Sequence, residues 1–383
     1  MIRGETGKYA QTTVGNEVVN AFLPAPLPPN PDLELSGAVL QILEAANLAL
    51  GRLDGVSTLL PDTDLFLYSY IRKEAIYSSQ IEGTQSSLSD LLLFEMDEAP
   101  GVPISDAQEV SQYVSAMTHG LARMEEGFPL SNRLLREIHK ILLSHGRGSS
   151  KEPGNFRRSQ NWIGGTRPGN AKFVPPPPME VQRLMSELES FIHEENEFPV
   201  LIKAGLAHVQ LETIHPFLDG NGRVGRLLIT FLLCHAGVLK KPLLYLSLYL
   251  KKHREEYYDH LDRVRRTGDW EGWLAFYLEG VQVTADNAAS TAQRITELFQ
   301  LDQERLQPLG RKAGSLLRVH DALTKRPVVS IKEVTEQTGL TFPPASSAMQ
   351  LLSEMGIVRE LTGKGRNRLF VYDKYLELLS EEG

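Results

Sequence analysis

Apolar residues recur at three- and four-residue spacing along most of this chain, a pattern that predicts a mainly α-helical protein. Helical periodicity dominates from Leu35 to about Gly146, interrupted by the loop EAPGVPISDAQ. SDAQEVSQYVSAM and LSNRLLREIHKILL each carry one apolar stripe, with a serine placed to cap the first turn. Farther on, PVLIKAGLAHVQLETI predicts a helix that buries Leu201, Leu206 and Val209 and delivers His215 at its end, with His208 as a structural residue. The run LLITFLLC from Leu227 opens the next helix, and Thr284 to Leu306 reads as a connecting helix. Between Gly154 and Pro175 the β-formers Trp162, Ile163, Phe173 and Val174 flank a turn-rich GGTRPGN, which predicts a β-hairpin. Residues 1–35 are polar and then proline-rich (FLPAPLPPNPDL), which predicts an extended arm.

The C-terminal pattern is helix (SLLRVHDALTK), short β (VVSI), helix (IKEVTEQTG), helix (PPASSAMQLLSEMG) and two β-runs around a basic turn. That order predicts a winged helix-turn-helix. Arg311 to Lys374 carries eleven Lys/Arg against six Asp/Glu, a net +5 in a chain whose total is −8. A basic module on an acidic protein is the charge pattern of nucleic-acid binding, with Lys364, Arg366 and Arg368 on the wing. The recognition helix, however, offers Ser346, Ser347 and Gln350 and no arginine, so DNA and protein docking both stand as readings. The single cysteine, Cys234, excludes a disulfide within the chain and suits a reducing compartment. The opening MIRGETGKYAQTT lacks an apolar signal region, and the longest apolar run, near 227–234, is too short to span a bilayer. The expectation is a cytoplasmic protein with no membrane partner.

The chemistry concentrates in residues 215–226, HPFLDGNGRVGR. GNG falls at the start of a helix, where free backbone N–H groups and the positive end of the dipole meet an anion. Gly220 and Gly222 let the backbone approach closely, and Arg223 and Arg226 add forked donors for phosphate oxygens. His215 stands just before this cradle as a candidate base, and Asp219 is a candidate metal ligand. These residues read as a polyphosphate site with catalysis built in.

The string resembles the Fic family signature, HxFx(D/E)GNGRxxR, at every fixed position. The resemblance implies that His215 takes a proton from a target hydroxyl, which attacks the α-phosphate of ATP. It implies that Asp219 holds Mg²⁺, that Gly220, Asn221 and Gly222 form the anion hole, and that Arg223 and Arg226 meet the β- and γ-phosphates, with Val224 and Gly225 completing the nucleotide-binding run. Glycine at 222, where one branch of the family has lysine, favours AMP transfer over phosphate transfer. Upstream, SSQIEG resembles the family's (S/T)xxxE(G/N) inhibitory motif at Ser78, Glu82 and Gly83. It implies that Glu82 pairs with Arg226 and keeps the γ-phosphate from docking, or that Glu82 positions a water to remove AMP from modified targets. The 154–175 hairpin is similar to the family's flap, with Asn161, Trp162, Ile163 and Gly164 near nucleotide and target. HREEYYDHL resembles the stretch whose first tyrosine touches adenine, here Tyr257.

The expected organisation is an N-terminal arm and helical inhibitory layer over 1–107, a Fic catalytic domain over 108–283, a connecting helix over 284–310 and a winged helix over 311–383. The expected activity is adenylyl transfer (AMPylation) from ATP, with Mg²⁺, to a Ser, Thr or Tyr of a target protein, the chain itself included. Family members of this type often pair, so a homodimer is expected. The alternatives are a DNA-binding regulator whose core only senses nucleotide, transfer of another nucleotide or phosphocholine, and de-AMPylation. An intact His215 favours the enzyme, since a sensor has no need of a base.

Overall fold

The computed structural model describes residues 3–14, 16–35, 37–59, 63–96, 102–195, 198–363 and 368–381. The chain forms two compact units: Met1–Gly51 with Ile71–Ala285, and Arg52–Tyr70 with Asp286–Gly383. Residues 1–107 and 108–283 thus contribute jointly to the first unit, save for 52–70.

The first unit opens on an antiparallel hairpin, β1 (Gly7–Val14) and β2 (Glu17–Pro24), in register from Gly7 opposite Pro24 to Val14 opposite Glu17. The expected extended arm is therefore folded for most of its length. Asn16 takes a left-handed conformation (φ 69°) at the turn, and Val19, Ala21, Phe22 and Leu23 are buried. The signal in GKYAQTTV and EVVNAFLP was short, and the prolines beyond it masked it.

Helices α1 (Ala38–Leu59), α2 (Thr63–Ile81), α3 (Leu88–Glu95), α4 (Ile104–Glu125) and α5 (Asn132–Leu142) follow. Ser131 caps α5 as its sequence predicts, accepting from Leu134 N at 3.4 Å. The expected serine cap of α4 is not formed. Pro103, with φ −51°, starts that helix earlier and leaves Ser105 inside the first turn. The 154–175 segment is less regular than a two-stranded hairpin, with one β-bridge, Ile163 to Phe173, and a 3₁₀ turn at Pro168–Asn170.

Then come α6 (Pro178–His193), α7 (Val200–Ile214), α8 (Asn221–His235), α9 (Ser247–Lys252), α10 (Arg254–Thr267) and α11 (Trp270–Leu306). The core of this unit is the α7–α8 pair, flanked by α4, α5, α6 and α10. Both helices are apolar around most of their circumference, as a helix must be when neighbours enclose it. Gly205 lets α11 lie close: a Cβ there would sit 3.1 Å from Leu274 and Tyr277, and its carbonyl accepts from Trp273 Nε1 at 3.0 Å.

The second unit contains the C-terminal part of α11 from residue 286, a 3₁₀ segment (Gln307–Lys312), α12 (Ala313–Lys325), β3 (Val328–Ser330), α13 (Ile331–Thr338), α14 (Phe342–Glu354), β4 (Arg359–Glu360), β5 (Leu369–Val371) and α15 (Asp373–Ser380). The strands form one antiparallel sheet in the order β3-β5-β4. Ser330 and Glu333 form a reciprocal capping box that starts α13. Tyr372 donates to Asp302 at 2.6 Å and shares a ring cluster with Phe299, His320 and Tyr375. Of the three cations expected on a wing, Arg368 pairs with Glu360 at 2.7 Å, and Lys364 and Arg366 lie outside the described residues. Among the described residues no helix is long and apolar enough to cross a membrane.

Because α7 and α8 leave no solvent-facing side on which to relax, Leu228→Ala, at a fully buried position of α8, is expected to cost about 2–5 kcal/mol in urea unfolding. A loss well below ~1 kcal/mol would mean that the surrounding helices collapse into the void.

Candidate active site

Residues 215–226 form the turn between α7 and α8 and the first turns of α8. His215 ends α7 in a left-handed conformation (φ 49°, ψ 60°), its N–H bonded to Leu211 O at 2.8 Å. Arg157, almost fully buried, holds the following turn through its main chain: Nε donates to His215 O at 2.9 Å and Nη2 to Pro176 O at 2.5 Å. The His215 ring is half-buried, just past the last turn of α7. Burial, helped by the Arg157 charge, lowers its pKa to about 4. The ring is therefore neutral at pH 7 and can accept a proton.

Two side chains fix the turn from within. Asn221 Oδ1 accepts from Phe217 N at 2.8 Å while its Nδ2 donates to Phe217 O at 2.9 Å. His139 lies on the apolar stripe of α5, stacked on Phe217 at 3.8 Å. Its Nδ1 accepts from Gly154 N at 2.8 Å, so the remaining Nε2–H donates to Asp219 O at 3.0 Å. The Asp219 carboxylate is partly exposed, one oxygen accepting from Gly220 N at 2.7 Å.

Gly220 caps α8 in a left-handed conformation (φ 78°) without a side-chain cap. The first intrahelical bond is Val224 N to Gly220 O, so the amides of Asn221, Gly222 and Arg223 precede it and form an anion-binding helix start. Arg223 is buried between Glu109 (3.4 Å) and Asp219 (3.7 Å). The helical rotation turns Val224 and Gly225 toward the core. Val224 is fully buried, and the Gly225 carbonyl takes the Nδ1–H of His208 at 2.9 Å.

Arg226 is held by the last turn of α2. Its Nε donates to Ser78 Oγ at 2.8 Å, and its Nη2 donates to Ser78 O at 3.0 Å and Glu82 Oε1 at 2.7 Å. Burial alone would neutralise both groups. The pair outweighs it, raising the Arg226 pKa and lowering that of Glu82. Gly83, at φ 104°, ends the helix in a conformation closed to other residues and leaves Glu82 at the helix end. A Cβ at Gly222 would fall 2.4 Å from Glu82 Oε1.

Asn161 Nδ2 donates to Phe217 O at 3.0 Å, tethering the 160–175 loop to the turn; Trp162 and Gly164 are exposed and Ile163 half-buried. Tyr257 is not on the site surface. It is 1% exposed and its hydroxyl donates to His208 Nε2 at 2.9 Å, because α10 packs that face on α7. Tyr258 is the exposed member of the pair (42%) and lies in the electrostatic field of Glu82 and Arg226.

Sequence reasoning missed His139, Glu109, Arg157 and Glu212. His139 carried one usable signal, a polar ring on an otherwise apolar helix stripe; the other three meet the motif only through tertiary contacts.

These features define a class first: a helical core with a histidine-led turn into an anion-binding helix start, its second arginine tied to an upstream glutamate. Residues 129–233 match the Fic/DOC family and residues 40–122 the Fic/DOC family N-terminal region, so the chain carries both of that family's domains. Similar proteins include the protein adenylyltransferase Fic of Culex quinquefasciatus, 33% identical over 62% of this chain and 47% of that protein. The protein of the same name in Aedes aegypti is 34% identical over 55% and 40%. The chain spans about half the length of the curated relatives it matches. A Fic family protein from Desulfovibrio desulfuricans shares the fold, with TM-score 0.58 at 19% identity over 89% of this chain and 97% of that one. Fic-1 from C. elegans does so with TM-score 0.52 at 21% identity over 68% and 74%.

Burial also pushes the Glu212 carboxyl up to about 7, and its Oε1 lacks a partner among the described residues. A raised folded pKa means that the folded chain binds the proton more tightly. The resulting stability is present below the unfolded value near 4.5 and is lost as pH rises through about 7. His139 and His208, both lowered to about 4 by burial, act in the opposite sense: full stability above 6.5, lost as pH falls toward 4. Glu212→Gln removes one opposing group. Its stability relative to the parent is expected to be higher at pH 8 than at pH 5, by up to about 3 kcal/mol. Urea midpoints at the two pH values check this, and a pH-independent difference would place Glu212 in a solvated site.

Proposed function

We propose that this chain is a protein adenylyltransferase that moves AMP from ATP to a Ser, Thr or Tyr hydroxyl of a target protein, restrained by Glu82. One observation carries the reading: a neutral His215 stands beside an open helix start whose flanking Arg226 is already engaged by a carboxylate. The target oxygen would attack the α-phosphorus, His215 would accept its proton, and pyrophosphate would leave. Charge on the non-bridging phosphate oxygens would meet the amides of 221–223 and the Arg223 guanidinium, groups that are in place before the reaction. Asp219 supplies one partly exposed carboxylate. An oxygen ligand of this kind, beside a helix start that binds phosphates, fits Mg²⁺ held by one carboxylate together with substrate phosphates. Bound there, Mg²⁺ would neutralise phosphate charge.

Glu82 acts in this reading by competition. Arg226 is nearly fully buried and has one guanidinium, so it serves either Glu82 or a terminal phosphate. Tyr258 takes the nucleobase-facing place first read for Tyr257. The 160–175 loop serves as the flap. The C-terminal unit, read as a winged helix, serves partner docking, since α14 presents no cation and exposes Phe342.

The test uses ATP labelled at the α- or the γ-phosphate. Glu82→Gly is expected to raise protein-bound α-label roughly tenfold, the equivalent of about 1.4 kcal/mol of relieved competition. His215→Ala in that background should lose about 10²–10⁴ in rate with ATP binding retained. Label from the γ-position, or none from either, would sink the assignment.

The pH profile offers a separate check. Only the neutral ring accepts a proton, and loss of the Glu82 charge lowers its pKa further, so transfer by Glu82→Gly should be undiminished through about pH 6 and fall only toward about pH 4 or below. A midpoint near 6.5 would mean that the ring is solvated or that another group is the base.

A further inference from the structure

The N-terminal hairpin lies outside the stretches that match the Fic/DOC family, yet it holds the 160–175 loop along its outer side. At the loop's tip, Glu17 Oε2 accepts from Arg167 Nη1 at 2.8 Å and from Gly169 N at 2.7 Å. A Cβ at Gly169 would lie 2.1 Å from that oxygen, so the approach requires glycine. At the loop's base, Phe22 N donates to Val174 O at 2.9 Å, and Val19 and Ala21 bury Val174. The Phe173 ring sits 6.2 Å from that of Phe22, with the Arg265 guanidinium 4.1 Å above it.

The inner side of the loop faces the site. Ile163 N donates to Phe173 O at 2.8 Å, and Asn161 holds Phe217 O. Residues 171–174 are thus fixed between β2 and Ile163. The hairpin is itself anchored: Gln210 Nε2 donates to Ala25 O at 2.9 Å, and Arg3 pairs with Glu271.

We infer that the hairpin is a positioning element for target capture, with Glu17 as its clamp. It holds residues 161–164 ready to bind an extended, hydroxyl-bearing peptide segment by main-chain pairing. The physical effect is preorganisation: a loop ordered beforehand does not charge its ordering entropy to the binding step. The inference rests on the transferase reading for its substrate class and on geometry alone for the brace.

The test compares Glu17→Gln and Gly169→Ala, which break the same contact from opposite sides, in the full chain and in the Glu82→Gly background. Three quantities are measured: hydrogen exchange over 160–175, ATP affinity by calorimetry, and α-label transfer to dephosphorylated casein, an unfolded acceptor, across casein concentrations. Exchange in the loop is expected to quicken roughly threefold to tenfold, the scale of one partly exposed charge-assisted contact. The half-saturating casein concentration should rise by a similar factor, with ATP affinity and plateau rate unchanged. Unaltered exchange in both variants overturns the brace. Faster exchange with unaltered half-saturation overturns its part in capture. Absence of α-label from the Glu82→Gly parent would instead defeat the transferase reading, while the exchange data still decide the brace.

Discussion

A guanidinium buried at the second turn of α8 must have oxygen partners, and the site is arranged around how Arg226 finds them. An arginine taken out of water is tolerable only when its charge is matched and its N–H groups are bonded. The last turn of α2 supplies both, through Ser78 Oγ, Ser78 O and the Glu82 carboxylate. That requirement ties α2 to α8 across 144 residues of sequence and gives Gly83 its place at the end of α2. It also explains how one contact could both stabilise and restrain. A terminal phosphate offers Arg226 the same kind of oxygen partner, so the restraint proposed above would be an exchange of one anion for another and would need no refolding.

A second constraint runs beneath the first. The motif turn has little regular structure of its own, and buried neutral imidazoles hold it in shape. His139 ties Asp219 to Gly154 and stacks on Phe217, and His208 ties Gly225 to Tyr257. Each ring donates from one nitrogen and accepts at the other, a division that protonation would destroy. Burial keeps both neutral over the physiological range. His215, at the mouth of the same turn, is only half-buried, and burial still lowers its pKa to about 4.

The helical core was legible because its apolar stripes are long and periodic, and α7 and α8 lie where their patterns put them. The motif residues were legible as a linear string. What the string could not convey was direction. The side chain of Val224 turns inward with the helical rotation, and of the adjacent tyrosines Tyr257 is buried while Tyr258 is exposed. The β1–β2 hairpin was hidden by a proline-rich continuation, and the 160–175 loop closes on a single bridge where more pairing was expected. Glu109, Arg157 and Glu212 left no trace in local pattern because their importance is purely tertiary.

Gly222 was first noted as a glycine that lets an anion approach. The position of its missing side chain gives it a further meaning, because the carboxylate of Glu82 fills that space. Any side chain at 222 would have to displace the Glu82 carboxylate or be displaced by it, so the glycine and the Glu82–Arg226 contact are one geometric unit: the space that the first leaves empty is the space that the second fills.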